Sequence, residues 1–176
     1  MDMNIGRRLI YWNLENNFIV ILNMEYREDA DIRLNNIQSR GIILNGDKVL
    51  LMFRRKNGNE YYVFPGGHMR KGETPQETAE REIEEETTIK VRNLELVFEF
   101  RNYIRKDKEQ IDYYFVGEWK SGEPVLSGEE YRRANEDNYY EPMWIDINKV
   151  QELTLYSLAA KEWFMEYFER FLESRK

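Results

Sequence analysis

The stretch that decides how this chain is read runs Gly67-His68-Met69-Arg70-Lys71-Gly72-Glu73-Thr74-Pro75 and resumes five residues on as Arg81-Glu82-Ile83-Glu84-Glu85-Glu86-Thr87-Thr88-Ile89. Thr74 can cap a helix, Pro75 suits its first position, and Glu77 stands three residues after the cap, the pattern of a capping box. The spacing predicts a helix from Pro75 to about Glu86. At 100° per residue, with Glu82 at zero, Glu85 falls at about −60° and Glu86 at about +40°, so three carboxylates share one face. Ala79 and Ile83, at about +60° and +100°, form its apolar edge, while Glu77, Glu80 and Glu84 occupy the opposite, solvated side.

Grouping Glu82, Glu85 and Glu86 is unfavourable by roughly 0.2–0.5 kcal/mol for each like-charged pair three or four residues apart. Arg81, four residues before Glu85, relieves part of that repulsion. A hard divalent cation relieves more, since Mg²⁺ takes oxygen ligands and is typically held by a few carboxylates together with substrate phosphates. The glycines of the preceding loop allow close backbone approach, so carbonyls there could complete the coordination.

Working outward, residues 38–44 and 48–55 are apolar segments joined by Asn45-Gly46-Asp47, a hairpin signal. Residues 61–64 read as a short strand that Pro65-Gly66-Gly67 stops, opening a loop to Glu73. Leu94, Leu96, Phe98 and Phe100 alternate with Glu95, Val97, Glu99 and Arg101, and residues 111–119 alternate likewise, with 105–108 as their connection. A polar stretch, 121–141, leads to a last strand at 143–145. From Leu155 onward Leu158, Ala159, Trp163, Phe164, Tyr167, Phe168 and Phe171 recur at helical spacing, giving a closing amphipathic helix whose stripe is core first and a homodimer surface second. The expected fold is α/β, a mixed sheet covered by helices. Residues 1–31 are expected to be an N-terminal extension to a domain at 32–176.

The 176 residues carry 26 Lys+Arg against 33 Asp+Glu, a formal net charge of −7, and no cysteine. That balance argues against coating polyanionic nucleic acid as the main task. Neither disulfides nor thiolate-bound zinc can form. The longest N-terminal apolar run, 18–22, is too short to span a bilayer, so no membrane partner and a cytoplasmic location are expected.

Gly67, Glu73, Arg81, Glu82, Ile83, Glu85 and Glu86 stand at the spacing of the Nudix box, and the segment 67–89 resembles that of the Nudix hydrolase family at every specified position but one, where Thr88 replaces glycine. The resemblance implies an α/β/α sandwich in which the box forms a loop-helix-loop. It further implies hydrolysis of the pyrophosphate linkage of a nucleoside diphosphate derivative, with Mg²⁺ or Mn²⁺. Carried over by position, Glu85, Glu86 and Glu82 are metal ligands, Glu82 being alternatively the base, and Gly67 offers a carbonyl. Arg81 and Glu73 orient them. A catalytically silent nucleotide-binding module of the same fold is the alternative.

A glycine at position 88 would suit a left-handed helix end, which strains a β-branched residue, so the helix is expected to end in extended conformation. Carboxylates outside the box that could serve as base are Glu118, Glu129, Glu130, Glu136 and Glu141. His68 is read as a loop residue, because magnesium favours oxygen. Arg54 and Arg70, with Arg55 and Lys71, are candidate phosphate binders. Tyr61, Tyr62, Tyr103, Tyr114 and Trp119 are candidates to stack on a base. A proline near Ile104 and Arg105, which the family resemblance would link to ADP-ribose, is absent. No second motif selects the nucleotide.

Overall fold

The computed structural model describes residues 10–13, 18–21, 36–105 and 108–174. Strands β1 (Ile10–Asn13) and β2 (Phe18–Ile21) pair antiparallel as a sheet of their own, Ile10 opposite Ile21. β3 (Ile37–Asn45) and β4 (Lys48–Lys56) form the expected hairpin, but they pair only at Leu44–Val49 and Asn45–Lys48. Beyond that they diverge, and the chain that follows fills the opening.

β5 (Asn59–Val63) lies antiparallel on β4, and β6 (Gly66–His68) lies antiparallel on β3. Between them the Gly41 amide donates to the Pro65 carbonyl at 2.9 Å. Gly66 to His68 is therefore a strand rather than the open loop that its Pro-Gly-Gly sequence suggested. The fork between β3 and β4 supplies edge groups that the turn residues complete.

β8 (Lys108–Ser121) runs parallel to β3 and is flanked by β7 (Lys90–Arg105); β9 (Asn138–Asp146) pairs with the far edge of β4, and the two-residue β10 (Leu155–Tyr156) runs parallel to β5. The result is one mixed eight-stranded sheet. Helix α1 (Pro75–Thr87) covers one face, where Ala79, Ile83 and Ile89 pack with Ile43, Leu50, Leu94 and Phe115. Helix α3 (Leu158–Ser174) covers the other through Trp163, Phe164 and Phe168, against Ile42, Leu51, Phe64, Tyr114 and Val116. Phe98 stacks on Tyr114 at 4.4 Å and on Trp163 at 5.3 Å between ring centroids. Adjacent residues Ile42 and Ile43 point to opposite cores, which is why β3 reads as a continuous apolar run. Among the described residues no helix is long and apolar enough to cross a membrane.

Three local expectations are corrected. In β7 the register shifts between Leu96 and Phe98, so Val97 and Phe98 are both buried while Leu96 is 38% exposed. A bulge breaks the period-two pattern there. Leu155 belongs to β10, and α3 begins only at Leu158. The polar stretch 121–141 contains a short helix, α2 (Gly128–Arg133), with no buried residue to mark it in the sequence, and the last strand starts early, at Asn138.

The end of α1 is a further correction. Thr88 adopts φ 60° and ψ 5°, the left-handed conformation, and its amide donates to the Glu84 carbonyl at 3.0 Å. The next three carbonyls, which a helix end leaves without partners, are met by the segment before α2. The Ser127 hydroxyl donates to Glu85, the Ser127 amide to Glu86 at 3.1 Å, and the Val125 amide to Thr87 at 3.0 Å. The Thr88 hydroxyl donates to the Glu123 carbonyl at 2.7 Å, offsetting the steric cost of the left-handed backbone. Thr88→Ala keeps that cost and loses the bond, so a destabilisation of about 1–2 kcal/mol is expected. Thr88→Gly removes both and is expected within about 0.5 kcal/mol of wild type. Guanidinium unfolding measures the two; a glycine variant as unstable as the alanine variant contradicts this account.

Candidate active site

The capping box forms as read: the Thr74 hydroxyl accepts from the Glu77 amide at 3.2 Å, and Glu77 accepts from the Thr74 amide at 2.8 Å. With its N-terminus fixed there and Ala79 and Ile83 fully buried, α1 has one rotational setting. That setting turns Glu82, Glu85 and Glu86 into a cleft of about 1050 Å³ between α1, β6 and the outer ends of β4 and β5. The opposite carboxylates Glu80 and Glu84 are exposed.

Arg81 is the hinge of the acidic face. Its Nε donates to Glu73 at 2.5 Å and its Nη2 to the same carboxylate at 2.9 Å, while Nη1 reaches Glu82 at 2.7 Å and Glu85 at 3.2 Å. Nη2 also binds the His68 carbonyl at 3.2 Å, tying α1 to β6. Arg81 and Glu73 thus hold the carboxylates in place. The Arg81 hydrogen bond is the main reason the Glu73 carboxyl is held down to about 2.

A sign follows for stability. Glu73 is more acidic folded than unfolded, so its contribution is full above the ordinary value of 4.5 and is lost as pH falls through about 2. The difference in unfolding free energy between wild type and Glu73→Gln should be constant near neutrality and shrink steadily between about pH 4.5 and 2. A difference that does not change over that interval contradicts the pairing.

Glu86 is 9% exposed, and burial, followed by the Glu130 carboxylate, pushes its carboxyl up to about 8. Its Oε2 accepts from the Gly66 amide at 3.1 Å. Burial likewise raises Glu82, against the opposing pull of Arg81. Glu85 is gripped at both oxygens by the Arg70 guanidinium, at 3.0 and 2.9 Å. A Cβ on Gly67 would stand 2.7 Å from the Glu82 carboxyl, and a Cβ on Gly66 would stand 2.1 Å from the Ser39 carbonyl oxygen. The strand lies this close to the acids only because it is glycine.

Among the described residues no three acidic or histidine side chains are already gathered around one point that could hold a metal ion. Arg70 and Arg81 keep Glu85 and Glu82 to themselves. The donor set nevertheless suits a hard divalent ion: three carboxylate oxygens, two of them disfavoured as bare charges by burial, beside a cradle at Gly67 that a side chain would fill.

The other candidates sort clearly. Glu129 and Glu130 line the cleft, brought there by α2, and Glu130 acts on Glu86. Glu118 instead accepts from Arg92 and Asn93, and Glu141 from Tyr139; neither lines the cleft. His68 lies on β6, its ring against Gln38. Arg54 and Arg70 line the cleft, while Arg55 and Lys71 do not. Of the aromatic residues, Tyr61 lines it; Tyr114 is buried, Tyr62 packs against the α3-side core, and Trp119 donates to the Gly122 carbonyl. The Tyr103 side chain lies outside the described residues. Arg40, Tyr140 and Tyr156 also line the cleft and carried no signal in the sequence, because only the pairing of distant strands places them there.

The NUDIX domain model matches residues 36–167. A Nudix hydrolase of Bacillus subtilis, YvcI, is 32% identical over 114 residues, covering 65% of this chain and 68% of that protein. An 8-oxo-dGTP diphosphatase of Haemophilus influenzae is 36% identical over 87 residues, 48% of this chain and 63% of that protein, and an RNA pyrophosphohydrolase of Psychromonas ingrahamii is 27% identical over 92 residues, 52% and 49%. The chain thus spans from about half to about two thirds of the length of these relatives. In structure it is similar to a NUDIX hydrolase from Nitrosomonas europaea, with a TM-score of 0.59 at 18% identity over 77% of this chain and 88% of that one. It is also similar to a MutT protein of Bacillus halodurans, with a TM-score of 0.57 at 27% identity over 74% and 80%. The fold thus has solved counterparts, and by the match over residues 36–167 this chain belongs to the Nudix hydrolase family.

Proposed function

We propose that the chain hydrolyses the phosphoanhydride of a small nucleoside diphosphate derivative with water, in the cleft bounded by α1 and β6. One observation carries the reading: Glu82, Glu85 and Glu86 face one cleft from a helix of fixed rotation, Glu82 against Gly67 and Glu86 on the Gly66 amide, and those two carboxylates are desolvated. The residues that would hold a divalent ion, Mg²⁺ or Mn²⁺, are these three with the Gly67 carbonyl. When bound, such an ion neutralises charge developing on phosphoryl oxygens and makes water a better nucleophile.

The side chains do the rest. Arg81, anchored on Glu73, orients Glu82 and Glu85. Arg70, which now covers Glu85, and Arg54 bind phosphate oxygens, and Arg70 leaves Glu85 to do so. The proton of the attacking water passes to a carboxylate, either Glu82 or Glu130, which lines the cleft and acts on Glu86. The names of the relatives, a diphosphatase for an oxidised nucleotide and a pyrophosphohydrolase for RNA, support a phosphoanhydride in a nucleotide setting.

Incubation with canonical and oxidised nucleoside triphosphates, nucleotide sugars and dinucleoside polyphosphates in the presence of Mg²⁺, with release of phosphate or pyrophosphate as readout, tests the proposal. Turnover of at least one compound is expected. Binding without turnover across the panel would favour a silent nucleotide-binding module.

A further inference from the structure

Glu130 reaches the cleft on α2, a helix that no apolar packing holds down: none of its six residues is buried, and Tyr131 is 68% exposed. So short a helix does not hold its shape alone in water, and the place of Glu130 is therefore set by what α2 is tied to. At its C-terminal end the Arg133 carbonyl accepts from the side-chain amides of Asn135 and Asn138, each at 3.1 Å. At its N-terminal end the tie runs to the helix that carries the box carboxylates.

Ser127 stands at the N-cap of α2, where a serine hydroxyl ordinarily accepts from an amide of its own helix. It makes no such bond here. Its hydroxyl donates instead to the Glu85 carbonyl, and its amide to the Glu86 carbonyl at 3.1 Å. Any residue bearing an amide would make the second bond; the first depends on the serine side chain. Gly128 closes the joint: with φ 67°, it lies so near that a Cβ would stand 2.7 Å from the same Glu85 carbonyl oxygen. The backbone of α2 thus starts in contact with the backbone of two residues whose side chains are box carboxylates. Glu130 lies in the first turn after that joint and lines the cleft with Glu85 and Glu86.

We propose that Ser127 is a positioning residue of the hydrolytic centre: its hydroxyl bond locks α2 onto the last turn of α1 and so holds Glu130 beside Glu86. The inference rests on the hydrolase reading and goes beyond it, making the acid supplied by α2 depend on a side chain outside the carboxylate face. Misplacing a reacting group by about 1 Å can lower a rate by roughly a hundredfold, so a single bond at this joint is enough to matter.

Ser127→Val and Ser127→Thr in the full chain test it, since valine and threonine share one shape and only threonine keeps the hydroxyl. Both suit the extended backbone at this position, φ −144° and ψ −170°. In steady-state kinetics on a compound that the substrate panel identifies, Ser127→Val is expected to lower kcat about tenfold or more with KM within about twofold of wild type. Ser127→Thr should recover most of that loss. Made on Glu130→Gln, the valine substitution should cost less than about twofold more, because the acid it positions is already gone. Mn²⁺ affinity, followed by electron paramagnetic resonance without any substrate, should be about threefold weaker in the valine than in the threonine variant, as a nearby negative charge moves off. Equal kcat in the two variants, or a valine loss undiminished on Glu130→Gln, would overturn the positioning role and leave the hydrolase reading standing. Absence of turnover by wild type with the Mn²⁺ difference present would overturn the hydrolase reading alone, and absence of both would overturn both.

Discussion

Replacing Glu82 by glutamine is expected to lower metal-supported turnover by about a thousandfold or more, the scale of losing a positioned carboxylate that serves as ligand or base. The fold should survive. Burial already disfavours the Glu82 charge, and a neutral amide of the same shape removes a like-charge neighbour of Glu85 while keeping an acceptor for Arg81. The expected change in unfolding free energy is therefore about 1 kcal/mol or less, against a change in kcat of about a thousandfold. Steady-state kinetics on whichever compound the panel identifies, beside a denaturant titration, measures both. Activity within about tenfold of wild type would remove Glu82 from the chemistry. Glu130→Gln, at a half-buried position on α2, then separates the two candidate bases by its pH–rate profile.

The second large effect is structural. Gly66 has φ 145°, and a Cβ there would stand 2.1 Å from the Ser39 carbonyl oxygen and 2.6 Å from the Arg40 Cα, both backbone atoms. Neither can yield without breaking the pairing of β6 with β3. Gly66→Ala is expected to destabilise by about 3 kcal/mol or more, adding backbone strain to a steric overlap that has no flexible partner. It should also abolish activity in whatever fraction remains folded, because the Gly66 amide that Glu86 accepts from would move with the strand. A thermal midpoint within a few degrees of wild type would contradict this placement of β6.

How much of this was legible in the residues themselves varies with the physics that fixed each part. The capping box, the three-carboxylate face and the Gly46-Asp47 hairpin are local, and local chemistry is written in consecutive residues. So the helix, its rotation and the acidic face were readable from 74–89. The bulge at Val97, the strand at Gly66–His68 and the left-handed Thr88 depend on partners far away in the chain: Tyr114 and Phe115, Gln38 to Arg40, and Glu123. No window around those positions contains the partner. The same reason hid Tyr140 and Tyr156, which β9 and β10 bring to the cleft beside Arg54 and Tyr61. Helix α2 was missed because a six-residue helix without a buried side chain shows no periodicity, yet it narrowed five candidate acids outside the box to two.

The central claim is that the acidic face of α1 exists to hold a divalent ion. It is tested most directly by titrating Mn²⁺ into wild type and Glu85→Gln and following the free-ion signal by electron paramagnetic resonance. Saturable binding to wild type is expected, weakened at least tenfold in the variant despite the loss of the competing Arg70 pair. Equal affinity in the two proteins, or no saturable binding to wild type, would contradict it.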